Sequence, residues 1–188
     1  MSKKIVILNG SPRPNGNTSL LVREFAKGAE EAGCEVTTFL LDKMNIHGCK
    51  GCCCGGKNPD SPCVQKDDMD KIYPAYREAD TVVLASPLYY WNFSGQLRTA
   101  FDRLFAVAEC DPDYRNPQKE AALIMAAEGH EFDDALNYYK NLMKHLNWKD
   151  LGQVLAGGVM KVGDIKGHKE LIDAYELGKA AAVSETAR

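Results

Sequence analysis

The sequence predicts a doubly wound α/β domain, in which a five-stranded parallel sheet carries helices on both faces. One indication is that short apolar runs alternate along the chain with segments of helical periodicity. Another is the continuous apolar run at residues 81–85, since a parallel strand must be covered on both faces. Strands that alternate with helices pair in parallel through right-handed crossovers. We expect the strand order 2-1-3-4-5 and a single domain over residues 1–188.

The individual elements follow from periodicity and from local stop signals. The first helix carries Leu21, Phe25 and Ala29 on one face and ends at Gly33, because glycine commonly terminates helices. The predicted strands cover residues 5–8, 36–41, 81–85, 121–127 and 153–160. The later helices begin near residues 67, 94 and 166, the last one running to about residue 184, and a helix between the last two strands is marked by Leu136, Tyr139, Met143 and Leu146.

Composition and charge argue against several classes of partner. The chain has a formal net charge of −3, which disfavours nucleic-acid and membrane-surface binding. No apolar run reaches the length of a membrane span, and Lys3 and Lys4 lead into a strand rather than a signal sequence. Seven cysteines without an export signal predict a cytoplasmic protein whose thiols are reduced or bind metal.

The loop at residues 9–19 has the composition of a phosphate-binding turn. It follows an apolar strand, precedes a helix and combines Gly, Ser and Asn with one arginine. Backbone N–H groups converge in such a turn, and the helix N-terminus favours an anion. Five residues separate Gly10 from Gly16, and Asn17 follows, so neither a Walker loop nor a dinucleotide fingerprint fits. The pattern predicts a site for a terminal phosphate monoester.

Two further loops are predicted at the same edge of the sheet, because ligands of doubly wound sheets lie outside the carboxyl ends of the strands. The loop at residues 86–95 contains Tyr89, Tyr90 and Trp91 in succession, which offers a platform for a planar heterocycle. The alternatives for this aromatic run are a packing loop and part of a subunit interface, and the latter is compatible with a flavin platform. The third loop covers residues 127–132.

These motifs resemble those of the NAD(P)H-dependent FMN reductases and iron–sulfur flavoproteins, which have a flavodoxin-like fold. The resemblance covers about residues 3–108 and rests on Gly10-Ser11-Pro12-Arg13, Gly16-Asn17-Thr18, Ser86-Pro87-x-Tyr89, Gly95-x-Leu97 and Asp102-Arg103. It implies that FMN is the cofactor and that its phosphate is held by Ser11, Arg13, Asn17, Thr18 and Ser19. It also implies contacts of the ribityl chain and isoalloxazine with Pro87, Leu88, Tyr89, Tyr90, Trp91 and Asn92. In the third loop the candidates are Glu128, Gly129 and, at the flavin edge, His130.

The segment at residues 44–66, here called the cysteine loop, carries a second signal. Four thiolates in a short loop can ligate zinc or an iron–sulfur cluster. Iron–sulfur flavoproteins have a compact C-x₂-C-x₂-C motif and one further cysteine here, but Gly55 stands at the third position of this chain. The candidate ligands by this resemblance are Cys49, Cys52, Cys54 and Cys63, with Cys53 beside them. A cluster, another metal, and free or reversibly oxidised thiols all stay open. Because the loop has no apolar periodicity, we expect a metal, a partner subunit or both to order it. It leaves the second strand at the carboxyl end, so its thiols are expected within electron-transfer range of the isoalloxazine.

The resemblance implies an oxidoreductase that takes hydride from NAD(P)H and reduces free flavin, a quinone or another small acceptor. The flavin supplies this chemistry, so no catalytic acid or base is expected from the protein. The alternative is a carrier that passes single electrons through an iron–sulfur cluster to a protein partner. A flavin at the rim needs a neighbour to bury it, which favours a homodimer or homotetramer. Asp102 and Arg103 are interpreted as a structural pair on the third helix.

Overall fold

Five parallel strands form the centre of the computed structural model, which describes residues 2–183. They are β1 (Lys4–Asn9), β2 (Glu35–Leu40), β3 (Thr81–Tyr89), β5 (Glu120–Ala126) and β6 (Lys149–Ala156), and a short β4 (Asn92–Phe93) pairs antiparallel with β3. The parallel strands lie in the order β2-β1-β3-β5-β6. Counted among themselves they have the predicted order 2-1-3-4-5, and the doubly wound, flavodoxin-like fold is confirmed.

Helices cover both faces of this sheet. They are α1 (Asn17–Glu31), α2 (Met69–Glu78), α3 (Gly95–Arg103), α4 (Phe105–Ala108), α5 (Asp133–Leu146) and α6 (Lys169–Val183). Successive residues of a strand point to opposite faces, so Ile5 and Ile7 join a core with α1 and α6 while Val6 and Leu8 join a core with α2 to α5. Among residues 2–183, no helix is long and apolar enough to cross a membrane.

Close packing against α6 fixes the position of α1, the helix whose N-terminus faces the carboxyl edge of the sheet. A Cβ built on Gly178 of α6 lies 2.1 Å from the carbonyl oxygen of Phe25, and one on Gly28 of α1 lies 2.1 Å from that of Tyr175. Only glycine permits backbones to approach so closely. The glycine pair therefore determines how near α1 lies to α6.

The aromatic run forms the tip of a β-hairpin, a regular structure that was not predicted for the loop at residues 86–95. In this hairpin Leu88 lies opposite Phe93 and Tyr89 opposite Asn92. Tyr90 and Trp91 have φ angles of 47° and 57°, which suits a two-residue type I′ turn that normally takes Asn-Gly. Side chains in the left-handed region cost about 1–3 kcal/mol each. The hairpin was missed because aromatic residues carry no turn signal.

The last strand begins and ends earlier than the predicted residues 153–160. The first residues of β6 are polar and partly exposed at the sheet edge, and the register shifts beside Gly152, whose φ is 129°. An apolar pattern is therefore visible only after the strand has begun. Gly158, with a φ of 74°, follows the end of β6, and residues 157–168 form a loop before α6. The last helix begins at Lys169 instead of residue 166, and its predicted end near residue 184 lies outside the described residues.

Candidate cofactor-binding site

A cleft of about 300 Å³ opens at the carboxyl ends of β1, β3 and β5. All three predicted loops contribute to it, and residues 159–160 add a segment that had been assigned to a strand. The lining residues are Ser11, Arg13, Gly16, Asn17, Thr18, Pro87, Leu88, Tyr89, Ala126, Ala127, Glu128, Val159 and Met160. The other predicted contacts, Ser19, Tyr90, Trp91, Asn92 and Gly129, lie behind or beside this lining.

Side chains at the end of β1 hold the first loop in shape. Asn9 accepts the N–H of Ser11 on Oδ1 (3.0 Å) and donates from Nδ2 to the hydroxyl of Ser19 (3.1 Å). The Ser19 hydroxyl donates in turn to the carbonyl oxygen of Arg13 (2.9 Å). Both Asn9 and Ser19 are buried. Ser19 therefore supports the loop from beneath, whereas Ser11 and Arg13 line the cleft.

The N-terminus of α1 forms the polar end of the cleft. Gly16 is its N-cap, and in the described structure no side chain caps this end by hydrogen bonding. The first turn contains only neutral residues, so its positive end is not compensated by a carboxylate. A Cβ on Gly16 would lie 2.9 Å from the Cβ of Arg13 and 3.5 Å from Ser11 Oγ. Glycine thus keeps a cradle open beside an exposed guanidinium, an arrangement suited to an anion.

Two serines that were not predicted as site residues, Ser86 and Ser94, join the first and second loops. Ser94 donates from its hydroxyl to the carbonyl oxygen of Gly10 (2.8 Å) and accepts the N–H of Leu97 (3.3 Å), which caps α3. Ser86 accepts the N–H of Ser94 at 2.7 Å. A Cβ on Gly10 would lie only 2.5 Å from Ser94 Oγ. The visible feature in the sequence is that one serine lies on each side of the aromatic run.

The aromatic hairpin stands at the rim. Tyr89 lines the cleft, whereas Tyr90 is 93% exposed and Trp91 56% exposed. Their rings lie 6.2 Å apart at 71°, and Asn92 accepts the N–H of Phe93 on its own side-chain oxygen (2.7 Å). Such exposure does not fit a packing loop. A cofactor contact or a subunit interface remains for Tyr90 and Trp91.

Asn17 connects α1 to the loop after β6. Its Nδ2 donates to the carbonyl oxygen of Lys161 (2.9 Å), and its Oδ1 accepts the N–H groups of Gly163 (3.1 Å) and Ile165 (3.3 Å). The Arg13 Nη1 donates to the carbonyl oxygen of Met160 at 3.3 Å. These bonds place Met160 in the cleft wall. The Asn17 amide thereby supports the site by holding the loop after β6 against α1.

The cleft fits a phosphate ester that carries a flat ring. One end has the open N-terminus of α1 with Ser11 and Arg13, and the sides have Pro87, Leu88 and Val159. Anionic and apolar parts of a ligand would therefore find separate complementary walls. FMN has such a shape and charge distribution.

The cysteine loop packs against the other end of α3 from this cleft. Cys49, Cys52, Cys53 and Cys63 line a cavity of about 60 Å³ together with residues at the end of α3 and in α4. Because α3 has nine residues and begins beside the cleft, this cavity lies roughly 14 Å away along the helix. Cys54 instead donates its thiol to the carbonyl oxygen of Cys52 (3.0 Å). Within residues 2–183, no three or more His, Cys, Asp or Glu side chains are arranged to hold a metal ion.

A buried ion pair holds both ends of the cysteine loop. Arg103 Nη1 and Nη2 donate to the two carboxylate oxygens of Asp67 at 2.7 and 3.3 Å, and further bonds reach the carbonyl oxygens of His47 (2.7 Å) and Gln65 (3.4 Å). Arg103 thus has a structural role, but its ion-pair partner is Asp67 and not the neighbouring Asp102. These contacts hold the two ends of the loop, whereas residues 48–54 between them are exposed.

Within the Arg103–Asp67 pair, the pKa of the Asp67 carboxyl is lowered although its side chain is buried. Burial disfavours the charged form of Asp67, but hydrogen bonds from Arg103 and from the N–H groups of His47 and Met69 outweigh it and lower the pKa of the carboxyl. Among the buried side-chain nitrogens and oxygens of residues 2–183, only Arg103 Nε has no hydrogen-bond partner. Four of the five N–H groups of a guanidinium belong to its two terminal nitrogens. All the hydrogen bonds described above for Arg103 are donated by these terminal nitrogens.

A family model described as NADPH-dependent FMN reductase matches residues 3–159. An iron–sulfur flavoprotein of Archaeoglobus fulgidus is 31% identical over 179 residues, which are 95% of this chain and 79% of that protein. An iron–sulfur flavoprotein of Methanocaldococcus jannaschii is 38% identical over 100 residues, and there the match spans about half of each protein (53% and 51%).

Solved structures show the same fold at low sequence identity. An NAD(P)H:quinone oxidoreductase from Methanothermobacter marburgensis superimposes with a TM-score of 0.73 at 18% identity, over 100% of both chains. An FMN-dependent NADH-azoreductase from Bacillus anthracis, solved in complex with FMN, gives 0.67 at 16% identity over 96% of this chain and 98% of that one.

Proposed function

The chain belongs to the NADPH-dependent FMN reductase family, and from this premise we propose that its cleft binds FMN and transfers electrons from NAD(P)H to a small acceptor. Free flavin and quinones are the acceptor classes. The observation that carries the proposal is the uncapped N-terminus of α1, which meets Arg13 at the polar end of the cleft in the described structure.

The phosphate end is assigned to Ser11, Arg13, Thr18 and the first N–H groups of α1. A charge-assisted hydrogen bond contributes about 1.5–3 kcal/mol, and a helix terminus up to about 2 kcal/mol. Micromolar affinity requires about 8 kcal/mol. Contacts of the ring with Pro87, Leu88 and Tyr89 must supply the remainder, through burial of apolar surface.

Bound FMN supplies hydride acceptance and electron donation. The chain's own residues bind the phosphate, fix the orientation of the ring and leave one side open to a second molecule at the cleft mouth. No side chain of the cleft is assigned a proton-transfer role. Asn9, Ser94 and Asn17 hold the loops in position and so keep the cleft formed.

A second candidate is an electron carrier that uses an iron–sulfur cluster. Four cysteines around one cavity and the names of the similar proteins favour it. Steady-state oxidation of NAD(P)H by the FMN-loaded protein, with a quinone or free flavin as acceptor, separates the two functions. We expect sustained turnover, whereas a carrier would show little or none.

The cysteine loop should be dispensable for this turnover. Because hydride chemistry needs the flavin alone, Cys52→Ala should retain more than about half of the parent rate. The rate is measured anaerobically at equal FMN content, with Cys34→Ala, a buried thiol outside the loop, as the matched control. Loss of activity together with loss of iron would instead support the carrier.

The proposal includes a homodimer or homotetramer in the cytoplasm. Tyr90, Trp91, Met160 and Val162 are more than half exposed, and the first three lie around the cleft mouth. Clustered exposed apolar side chains mark interaction sites. The cytoplasm is proposed because it keeps thiols reduced. Sedimentation at increasing protein concentration tests the assembly.

Bound FMN should quench tryptophan fluorescence mainly through Trp91. The other tryptophan, Trp148, is buried among Tyr76 and Phe101 and donates to the carbonyl oxygen of Pro117 (3.0 Å), beside the start of β6. Trp91→Ala should therefore remove most of the quenching, and Trp148→Phe should preserve it. Quenching that persists in Trp91→Ala would place the ring away from the hairpin.

A further inference from the structure

The cysteine loop departs from the compact cluster motif at Gly55, and a neighbouring carboxylate occupies that position. A Cβ built on Gly55 lies 2.2 Å from Glu109 Oε2 and 3.0 Å from the carbonyl oxygen of Pro62. The N–H of Gly55 donates to the same Glu109 oxygen at 3.1 Å. The space that a third cysteine side chain would need is therefore taken by Glu109.

Protein contacts close this part of the loop. Gly56 donates its N–H to the carbonyl oxygen of Pro62 (2.9 Å), and a Cβ on Gly56 would lie 2.1 Å from the carbonyl oxygen of Glu109. The ends of the loop are held by Arg103, as described above. Protein contacts thus hold the chain at Gly55 and Gly56.

The neighbouring cysteines are poor replacements for the third ligand. The Cys54 thiol donates to a backbone carbonyl, and Cys53 has a left-handed φ of 47°. The cavity of about 60 Å³ has room for a few water molecules, whereas a [4Fe–4S] core contains eight atoms. Asp102 and Glu109 both line it, with Lys50 as the cation beside the Arg103–Asp67 pair. Two carboxylates disfavour an anionic thiolate cluster.

We infer that Glu109 stands in the place of the third cluster ligand, so that this chain assembles no iron–sulfur cluster and keeps the cysteines of its loop as thiols. The inference identifies the pair Gly55 and Glu109 as the determinant that separates this chain from cluster-binding relatives. It does not depend on FMN binding.

Anaerobic reconstitution with ferrous iron and sulfide tests the inference, with iron and acid-labile sulfide measured per chain. The parent protein and Glu109→Ala should each hold less than about one of either, whereas Gly55→Cys with Glu109→Ala should hold about four of each. Gly55→Cys alone should hold less than the double variant, because Glu109 must swing aside. The matched control is Gly48→Cys with Glu109→Ala, in which the added thiol enters open space in the same loop and should leave the parent level unchanged.

Two results would overturn the inference. One is matching iron and sulfide, near four of each, in the parent protein, a measurement that does not depend on any variant folding. The other is a Gly55→Cys, Glu109→Ala protein that melts and binds FMN like the parent and yet holds no more iron than the Gly48 control. FMN content is recorded in every sample, so a failure of the flavin proposal is seen separately from the iron result.

Discussion

Replacing Thr18 by Asp should weaken FMN binding about a hundredfold while the apoprotein remains folded. Thr18 is buried in the first turn of α1 and lines the cleft. A carboxylate there competes with the phosphate for the same helix terminus. Repulsion between unit charges 4 Å apart amounts to about 1–4 kcal/mol, and each 1.36 kcal/mol is about tenfold in affinity. Titration of the apoprotein with FMN measures the effect.

Thr18→Asn is the matched control, because it has nearly the same shape as the aspartate variant and no charge. We expect its affinity to remain within about tenfold of the parent, since one neutral hydrogen bond contributes about 0.5–1.5 kcal/mol. The melting temperature of apo Thr18→Asp should not fall, because an acidic residue suits a helix N-terminus. Equal losses in the two variants would indicate a steric effect, and unchanged affinity in both would remove the phosphate assignment.

The sequence predicted the parts of the site that depend on local composition. A strand, a Gly- and Ser-rich turn and a helix start place backbone N–H groups together whatever the rest of the chain does. Ser11, Arg13 and Thr18 accordingly line the cleft. The role of Ser19 was less predictable, because its hydroxyl turns inward to the carbonyl oxygen of Arg13. Hydrogen bonding within a loop selects among neighbouring polar side chains, and composition does not reveal that selection.

Features that depend on contacts between distant segments were missed. Met160 reaches the cleft because Asn17 binds the backbone of the loop after β6, across more than 140 residues of sequence. The hairpin at Tyr90 and Trp91 contradicts local turn preferences, so the surrounding strands must impose it. The position of the cysteine loop depends on Asp67 and Arg103, which are far apart in sequence. Sequence patterns relate residues that are close along the chain, whereas these contacts join residues that are far apart in the sequence.

Of the substitutions described, Arg103→Met should have the largest effect on stability. It should lower the free energy of unfolding by about 3–5 kcal/mol. The side chains of Arg103 and Asp67 are 0% and 1% exposed, so the variant leaves a carboxylate buried without its partner. The carbonyl oxygens of His47 and Gln65 lose their donor as well. Urea unfolding at neutral pH measures the loss. Arg103→Lys keeps the charge but lacks the two-pronged donor, so its loss should be intermediate.

The difference in unfolding free energy between the parent and Arg103→Met should depend on pH. A loss caused by a cavity alone would not. The folded pKa of Asp67 is depressed, so the pair's contribution is complete above the unfolded value near 3.9 and declines as the pH falls through the lower folded value. In Arg103→Met the unpaired, buried carboxyl should have a raised pKa. Protonation of this carboxyl then relieves the destabilisation, so the difference in unfolding free energy between parent and variant should narrow from pH 7 to pH 4.

The control adds Asp67→Asn to Arg103→Met, which should recover part of the loss at pH 7 and abolish that narrowing. A gap that stays constant across this range would mean that Arg103 stabilises the loop by packing and not by its charge.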